Sequence, residues 1–455
     1  MQLSRFQRIV CLVATLVHWS HGCFLDHVDS SHIDHRAAIS FNIAARDESI
    51  RLRQPPADLA IVNARIFNGA GISLPSTLTV RNGIIVAICT PTSRQNCSLS
   101  HGFKGGVYDA KNMTLLPGLI DSHAHPANVS HLQALTAAGI TTTILAHCPS
   151  PDLCASLESH SGLTSIILGS FVATTPNSTH AAIVASDVPN PPLISNLTQI
   201  PSWVANQVSP GQGGGGAKFI KIIGSAPGPG LHPAAQTLLV KEAHRHRRLV
   251  VQHAASTVAF AEAITAKADQ IHHSTLDGPL DSSLVRAFAE GGTVLCPTLM
   301  MMRAVAEQLP SPGPGSGSGS NSSSGSGSNT TINPAFAAAV ETTRRLRDAE
   351  VAILVGTDAN AQSQVPAGGQ VRFGESMHDE LENLVKLVGM TPAEALRAAT
   401  KVPAIKFGEL LRDRGAVEVG KRADLVLVEG DPTVDITVVR KVRRVWVGGV
   451  KFAGL

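Results

Sequence analysis

Leu116-Pro117-Gly118-Leu119-Ile120-Asp121-Ser122-His123-Ala124-His125 is an apolar run that closes on two histidines one residue apart. Extended backbone sends residues i and i+2 to the same side, so His123 and His125 can reach a common ion. Such a pair means little alone. Placed directly after an apolar strand, it stands where parallel α/β barrels carry their chemistry, at the carboxyl ends of the strands.

Downstream, short apolar runs alternate with helical patterns, as a parallel α/β architecture requires. Counting from the first, the strand candidates are Leu115–Ile120, Thr141–Ala146, Thr164–Leu168, Phe219–Ile223, Leu249–Gln252, Asp269–His272, Thr293–Cys296 and Ala352–Val355. Helical patterns fall between them at Ala234–His246, Val258–Lys267 and Ala335–Ala349, and a last helix runs near Thr391–Lys401, where Thr391-Pro392 reads as an N-cap followed by a first-turn proline. The expected fold is an α/β (β/α)8 TIM-type barrel over residues 115–407. Leu59–Ile66 and Leu78–Ile88, with Asn82-Gly83 as a turn, are strand-like; so are Ala423–Glu429, Lys441–Val447 and Val450–Phe452. Residues 57–114 and 408–455 are therefore expected to build one small β-sandwich from both ends of the chain. A chain of 455 residues accommodates both units, since single cores stop growing at about 250 to 300 residues.

Four further side chains of metal-ligand or base type stand at the ends of later strands: Lys221, His253, His273 and Asp358. Taken singly, each has an ordinary structural reading, as surface ammonium, core histidine or helix cap. Five strand ends in one barrel carrying such groups point to a shared centre.

Hydrophobic residues at 43% against 16% charged residues describe a globular protein, and a formal charge of only +3 gives no basic block that could neutralise many phosphates. Nucleic acid is excluded as an expected partner; a small molecule is favoured, and a homo-oligomer is compatible. Arg5 and Arg8 precede the apolar run Ile9–Val17, followed by small Ser20 and Gly22, the pattern of a signal peptide over residues 1–23. That run is too short to span a bilayer, which needs about 20 residues, so no membrane span is expected after its removal. Residues 24–56 carry no assignable pattern. Secretion fits the N-glycosylation tripeptides at Asn96, Asn112, Asn128, Asn177, Asn196, Asn321 and Asn329. None of the seven cysteines forms a CxxC pair, which argues against a structural zinc–thiolate site; an oxidising compartment could join Cys148 to Cys154 or Cys89 to Cys97. Ser311–Ser328, almost wholly Gly, Ser and Pro, reads as a flexible loop after the seventh strand.

The motifs Pro117-Gly118-Leu119-Ile120-Asp121-Ser122-His123-Ala124-His125, Phe219-Ile220-Lys221-Ile222, Val250-Val251-Gln252-His253-Ala254, Gly356-Thr357-Asp358-Ala359 and Gly420-Lys421-Arg422-Ala423-Asp424-Leu425-Val426 together resemble the amidohydrolase superfamily. The likeness is to its imidazolonepropionase-like and Xaa-Pro dipeptidase-like branch, and it covers roughly Leu59–Phe452. It implies that His123, His125, His253, His273 and Asp358 are ligands of divalent metal, with two Zn2+ per chain, and that Lys221 carries a bridging carbamate. An ammonium cannot ligate a cation, whereas a carbamate presents two anionic oxygens. Lys218, three residues earlier on the strand, points the other way. Of His272 and His273, which alternation sends to opposite sides, the resemblance selects His273, because the ligand precedes a small residue, here Ser274.

The resemblance also implies substrate-binding roles for His180 and His378; His147 and His232 fall in neighbouring loops. Tyr108, the single tyrosine, lies in the expected sandwich, so a relative that uses a tyrosine after the fourth strand is a poor guide. The implied activity is hydrolysis of a carbon–nitrogen bond in a small amide or dipeptide-like substrate, with Asp358 as general base. Two other readings stand beside it. One is a mononuclear cyclic-amide hydrolase or deaminase that leaves Lys221 free, and the other is a secreted barrel that binds a ligand without turnover.

Overall fold

Both ends of the described chain meet in one hydrogen-bonded sheet. The computed structural model describes residues 57–91, 103–188, 190–210, 215–224, 230–309, 332–360 and 371–455. The expected signal segment, residues 24–56, the Gly/Ser-rich stretch, Cys97 and the tripeptides at Asn96, Asn321 and Asn329 lie outside these residues.

The outer sheet takes β1 (Leu59–Phe67), β2 (Ile72–Arg81), β3 (Ile84–Cys89), β4 (Gly106–Asp109) and β5 (Thr114–Pro117) from one end, joined by β14 (Leu425–Val428), β15 (Val442–Val447) and β16 (Val450–Lys451) from the other. Its order is β16-β15-β14-β5-β1-β2-β3, with β4 also on β1; hydrogen bonding links all eight strands in one sheet rather than dividing them between two. Asn82 and Gly83, both at positive φ (49° and 76°), make the β2–β3 turn, the backbone shape a tight hairpin demands. Ile61, Leu78, Ile85, Leu115, Leu425 and Trp446 form the sheet's buried core.

The second sheet is parallel and runs β12-β11-β10-β9-β8-β7-β6-β13. Its strands are β6 (Leu119–His125), β7 (Ile140–Leu145), β8 (Ser165–Ala173), β9 (Phe219–Ile223), β10 (Val250–His253), β11 (Gln270–His272), β12 (Val294–Cys296) and β13 (Ala359–Asn360). Closure into a ring comes from the segment before β13. Ala352 O accepts from Leu295 N and Leu354 N donates to Leu295 O on one side, while Val355 O accepts from Ser122 N and His123 O accepts from Asp358 N on the other. Ile120, Ile144, Phe219, Val251, Val294 and Leu354 pack together in one buried cluster drawn from six of these elements. Helices α1 (Val129–Ala137), α2 (Pro151–Leu157), α3 (Thr179–Asp187), α4 (Ile200–Val208), α5 (Pro233–Arg245), α6 (Thr257–Ala266), α7 (Ser282–Glu290), α8 (Leu299–Gln308), α9 (Pro334–Asp348) and α10 (Glu375–Asn383) follow between and after the strands.

Three expectations change. Leu115–Ile120 is not one strand: Thr114–Pro117 pairs with β14 in the outer sheet, and the barrel begins at Leu119. Gly118 makes the crossing possible, since a Cβ there would lie 2.0 Å from Thr141 Oγ1. Ala352–Val355 forms only a bridge, Leu295 to Ile353, and regular pairing resumes at β13, because Asp358 at φ 57° interrupts the extended run. The helix expected over Thr391–Lys401 ends earlier, as α11 (Pro392–Ala398), and a separate α12 (Lys401–Lys406) follows, with Pro403 in its first turn, where its missing N–H costs nothing. Thr391 does cap α11, in a capping box with Glu394. Among the described residues no helix is long and apolar enough to cross a membrane.

Candidate metal centre

Asp121, fully buried, fastens the end of β6 to the loop that bears Asp358. Its Oδ1 accepts from the backbone N–H of His123 and of Thr357, each at 3.1 Å, and its Oδ2 accepts from Thr357 Oγ1 at 2.8 Å. Asp358 N donates to His123 O at 2.7 Å. The sequence pattern Asp-Ser-His-Ala-His thus locks two histidines and a carboxylate into one frame.

Within it, His125 Nε2 lies 3.1 Å and His123 Nε2 3.5 Å from Asp358 Oδ1, with the two Nε2 atoms 3.3 Å apart. His273 Nδ1 is 3.8 Å from Asp358 Oδ2. One ligand atom each of His123, His273 and Asp358 falls within 4.8 Å of the others. The rings continue in a chain: His273 to His253 at 4.4 Å between centroids, and His253 to His180 at 4.7 Å. All of these side chains, with Lys221 and His147, line a single cavity of about 350 Å3, a size suited to a small molecule.

Burial sets the charge states. Desolvation, then the charge of Lys221, pulls His123, His272 and His273 well below the usual histidine range, and desolvation followed by neighbouring histidines does the same for His253. Burial brings His180 down to about 4 and His147 down to about 3. Neutral imidazoles are the form that ligates metal. Lys221 is brought down to about 8 by the same cause, and its Nζ is buried with no hydrogen-bond partner.

The profile of the amidohydrolase family matches residues 204–451, just over half of the chain. The chain belongs to the amidohydrolase family. Among curated relatives of this amidohydrolase, the imidazolonepropionase of Deinococcus deserti is 38% identical over 111 residues, 24% of this chain and 25% of that protein. The ochratoxinase of Aspergillus niger is 28% identical over 251 residues, 52% of this chain and 47% of that protein. The matched segments thus span a quarter to about half of these relatives. A crystal structure of a Xaa-Pro dipeptidase with methionine bound in its active site superposes with a TM-score of 0.68 at 20% identity, covering 88% of this chain and all of that one. That likeness is one of fold.

A divalent cation suits the residues of this amidohydrolase. Nitrogen and carboxylate donors converge without a thiolate, and the buried Cys296 does not line the cavity. Lys221 Nζ, unpartnered beside them, is the kind of buried polar atom that calls for a missing partner.

Of the eight side chains singled out from sequence, His123, His125, Lys221, His253, His273, Asp358 and His180 come together in the cavity. His378 does not. It is buried on α10, and its Nε2–H donates to Ala138 O at 2.8 Å, where α1 ends and the chain turns into β7. There it ties α10 to the end of α1, outside the cavity lining. His232 caps α5, its Nδ1 accepting from Ala234 N. Alternation also misplaced His272, which lies against His123 just as His273 does, because His273 stands at φ 81° and leaves the strand's two-residue period. Asp121 was missed as an anchor although it lies in the quoted motif; a buried acid two residues before the first ligand was the available signal.

Proposed function

We propose that this chain hydrolyses a carbon–nitrogen bond, amide or peptide-like, in a small substrate, using two zinc ions held by His123, His125, His253, His273, Asp358 and a carbamylated Lys221. The observation that carries the reading is Lys221 Nζ, buried and without a partner amid four histidines and a carboxylate. The Lys221 ammonium first loses a proton, and carbon dioxide then adds to the neutral amine, forming an N–C bond and releasing a second proton, so that an orphaned cation becomes an anion with two oxygens. Metal bound by this set supplies a water whose pKa falls toward neutrality and polarises the scissile carbonyl. Asp358, tethered through its own N–H to His123 O, accepts a proton from the attacking water and returns it to the leaving amine. His180, kept neutral by burial, has an N–H to offer the carbonyl oxygen as negative charge grows there. The products are an acid and an amine. Secretion is supported by the Cys148–Cys154 disulfide, a bond that persists in oxidising compartments.

The test is metal analysis with a panel of amides. The reading expects two zinc ions per chain after loading with bicarbonate, a fall in metal content for Lys221→Ala, and no turnover for Asp358→Asn. One firmly held ion, unchanged by Lys221→Ala, would remove the binuclear centre, and a metal-loaded protein inert toward every amide would remove the activity.

A further inference from the structure

The cavity is lined by two kinds of side chain. One is the cluster of donors; the other is apolar, supplied by Leu153 and Leu157 of α2, Val172 of β8, Val184 of α3 and Ile223 of β9. α2 turns a single face inward: Cys154 and Leu157 are buried and Leu153 half-buried, while Asp152, Ala155 and Ser156 are exposed. The Cys148–Cys154 disulfide pins this helix to the loop after β7. That loop also carries His147, which lines the cavity and has no hydrogen-bond partner at either ring nitrogen. An unpaired buried imidazole costs free energy that a ligand can relieve, and a neutral ring offers one donor and one acceptor.

Among the described residues, Lys221 is the single lysine or arginine lining the cavity. The described residues that follow the first seven barrel strands, 126–128, 146–150, 174–178, 224, 230–232, 254–256, 273–281 and 297–298, include neither Lys nor Arg. Arg372, just before α10, is 63% exposed and pairs with Glu375 at 3.1 Å. Arg303 of α8 donates to Asn383 Oδ1 and lies over the Phe336 ring. A substrate carboxylate seated against the apolar residues, away from the donors that would hold metal, would therefore be buried with no guanidinium or ammonium partner among the described lining residues, and an unpaired buried charge is strongly unfavourable.

We infer that the substrate is an uncharged amide with a bulky apolar portion, seated against Leu153 and Leu157 with a polar group facing His147. The inference rests on the hydrolase reading above and narrows it, setting aside dipeptides with a free carboxylate.

The full chain, zinc-loaded with bicarbonate, is assayed on N-acetyl, N-butyryl, N-hexanoyl and N-octanoyl 2-phenylethylamine, and on N-hexanoyl-phenylalanine, which adds only a carboxylate. The expected kcat/KM rises about fourfold per methylene until the cavity fills, and the carboxylate costs at least about tenfold. Leu153→Asn, at a half-buried site that tolerates a polar group, flattens the series to less than about twofold per methylene. His147→Leu lowers kcat/KM by about tenfold throughout with zinc content unchanged. A flat series, or equal rates with and without the carboxylate, overturns the inference and leaves the hydrolase intact. Calorimetric binding of the same compounds separates the two claims. Tighter binding of the uncharged member without cleavage sustains the apolar site while removing the hydrolase, and equal binding of both members removes the site.

Discussion

His272 Nδ1 lies 2.8 Å from His123 Nδ1, and His272 Nε2 lies 3.1 Å from Gln270 Oε1. An amide oxygen only accepts, so His272 carries its proton on Nε2 and presents a lone pair at Nδ1. His123 then donates from Nδ1 and keeps its Nε2 lone pair turned toward Asp358. A partner that fixes a ligand's tautomer in this way is worth about 10- to 100-fold in metal affinity. His272→Phe is expected to lose that much, and His272→Gln, which retains an acceptor, to recover most of it. Zinc content after dialysis against graded chelator measures both, and full retention in His272→Phe would reduce His272 to packing.

Asp121 gathers three donors from two segments far apart in the chain. Burial raises it to about 7 in spite of those bonds, so the anchor persists because its partners are buried with it. Asp121→Ala should destabilise the protein by about 2–4 kcal/mol, since buried donors are left unsatisfied, while Thr357→Val, which removes one bond, should cost about 1 kcal/mol. Denaturant unfolding gives both values. Equal losses would mean that the hydroxyl bond alone holds the frame.

Legibility in the sequence followed backbone regularity. Phe219–Ile223 occupies the residues expected of it, because every side chain in that run is buried and nothing interrupts the strand. Lys221, His253 and His125 could be placed from such runs alone. The misreadings cluster where the backbone leaves the extended region: His273 at φ 81° and Asp358 at φ 57° break a two-residue period that assumes negative φ. Left-handed conformations of non-glycine residues are uncommon, and although Asn, Asp and His are enriched in them, residue type alone does not say which copy adopts one. The apolar lining was invisible for another reason, since Leu153, Val184 and Ile223 meet only through the fold. His378 falls outside the cavity lining because a helix's position after a strand does not say which of its faces turns to the mouth.

His378 also gives a prediction about pH. Burial, its largest influence, holds the ring below the ordinary histidine value of 6.5 despite the bond to Ala138 O. A histidine depressed in the folded state takes up protons more readily when unfolded, so its contribution is complete above pH 6.5 and is lost as pH falls through the depressed value. His378→Leu leaves Ala138 O without its donor and should cost about 1–3 kcal/mol at pH 7.5. The gap to wild type should then shrink between pH 7 and 5, with zinc content and KM unaltered. A gap constant across that range would contradict the buried neutral ring, and a changed KM would return His378 to the substrate site.

The disulfide Cys148–Cys154 closes a loop with a sequence separation of 6. Loops that short lose little chain entropy when closed, and about 2 kcal/mol is the expected contribution. Its position gives it more consequence than that figure suggests, because Cys154 is itself part of the cavity lining and Leu157 follows it on the same face of α2. Cys154→Ser should therefore lower the melting temperature by a few degrees and, more tellingly, raise KM for the octanoyl amide more than for the acetyl amide. Zinc content should stay as in wild type, since no cysteine belongs to the donor set. Were KM to rise equally for both amides, the bond would be supporting the barrel as a whole and the apolar lining from α2 would not depend on it.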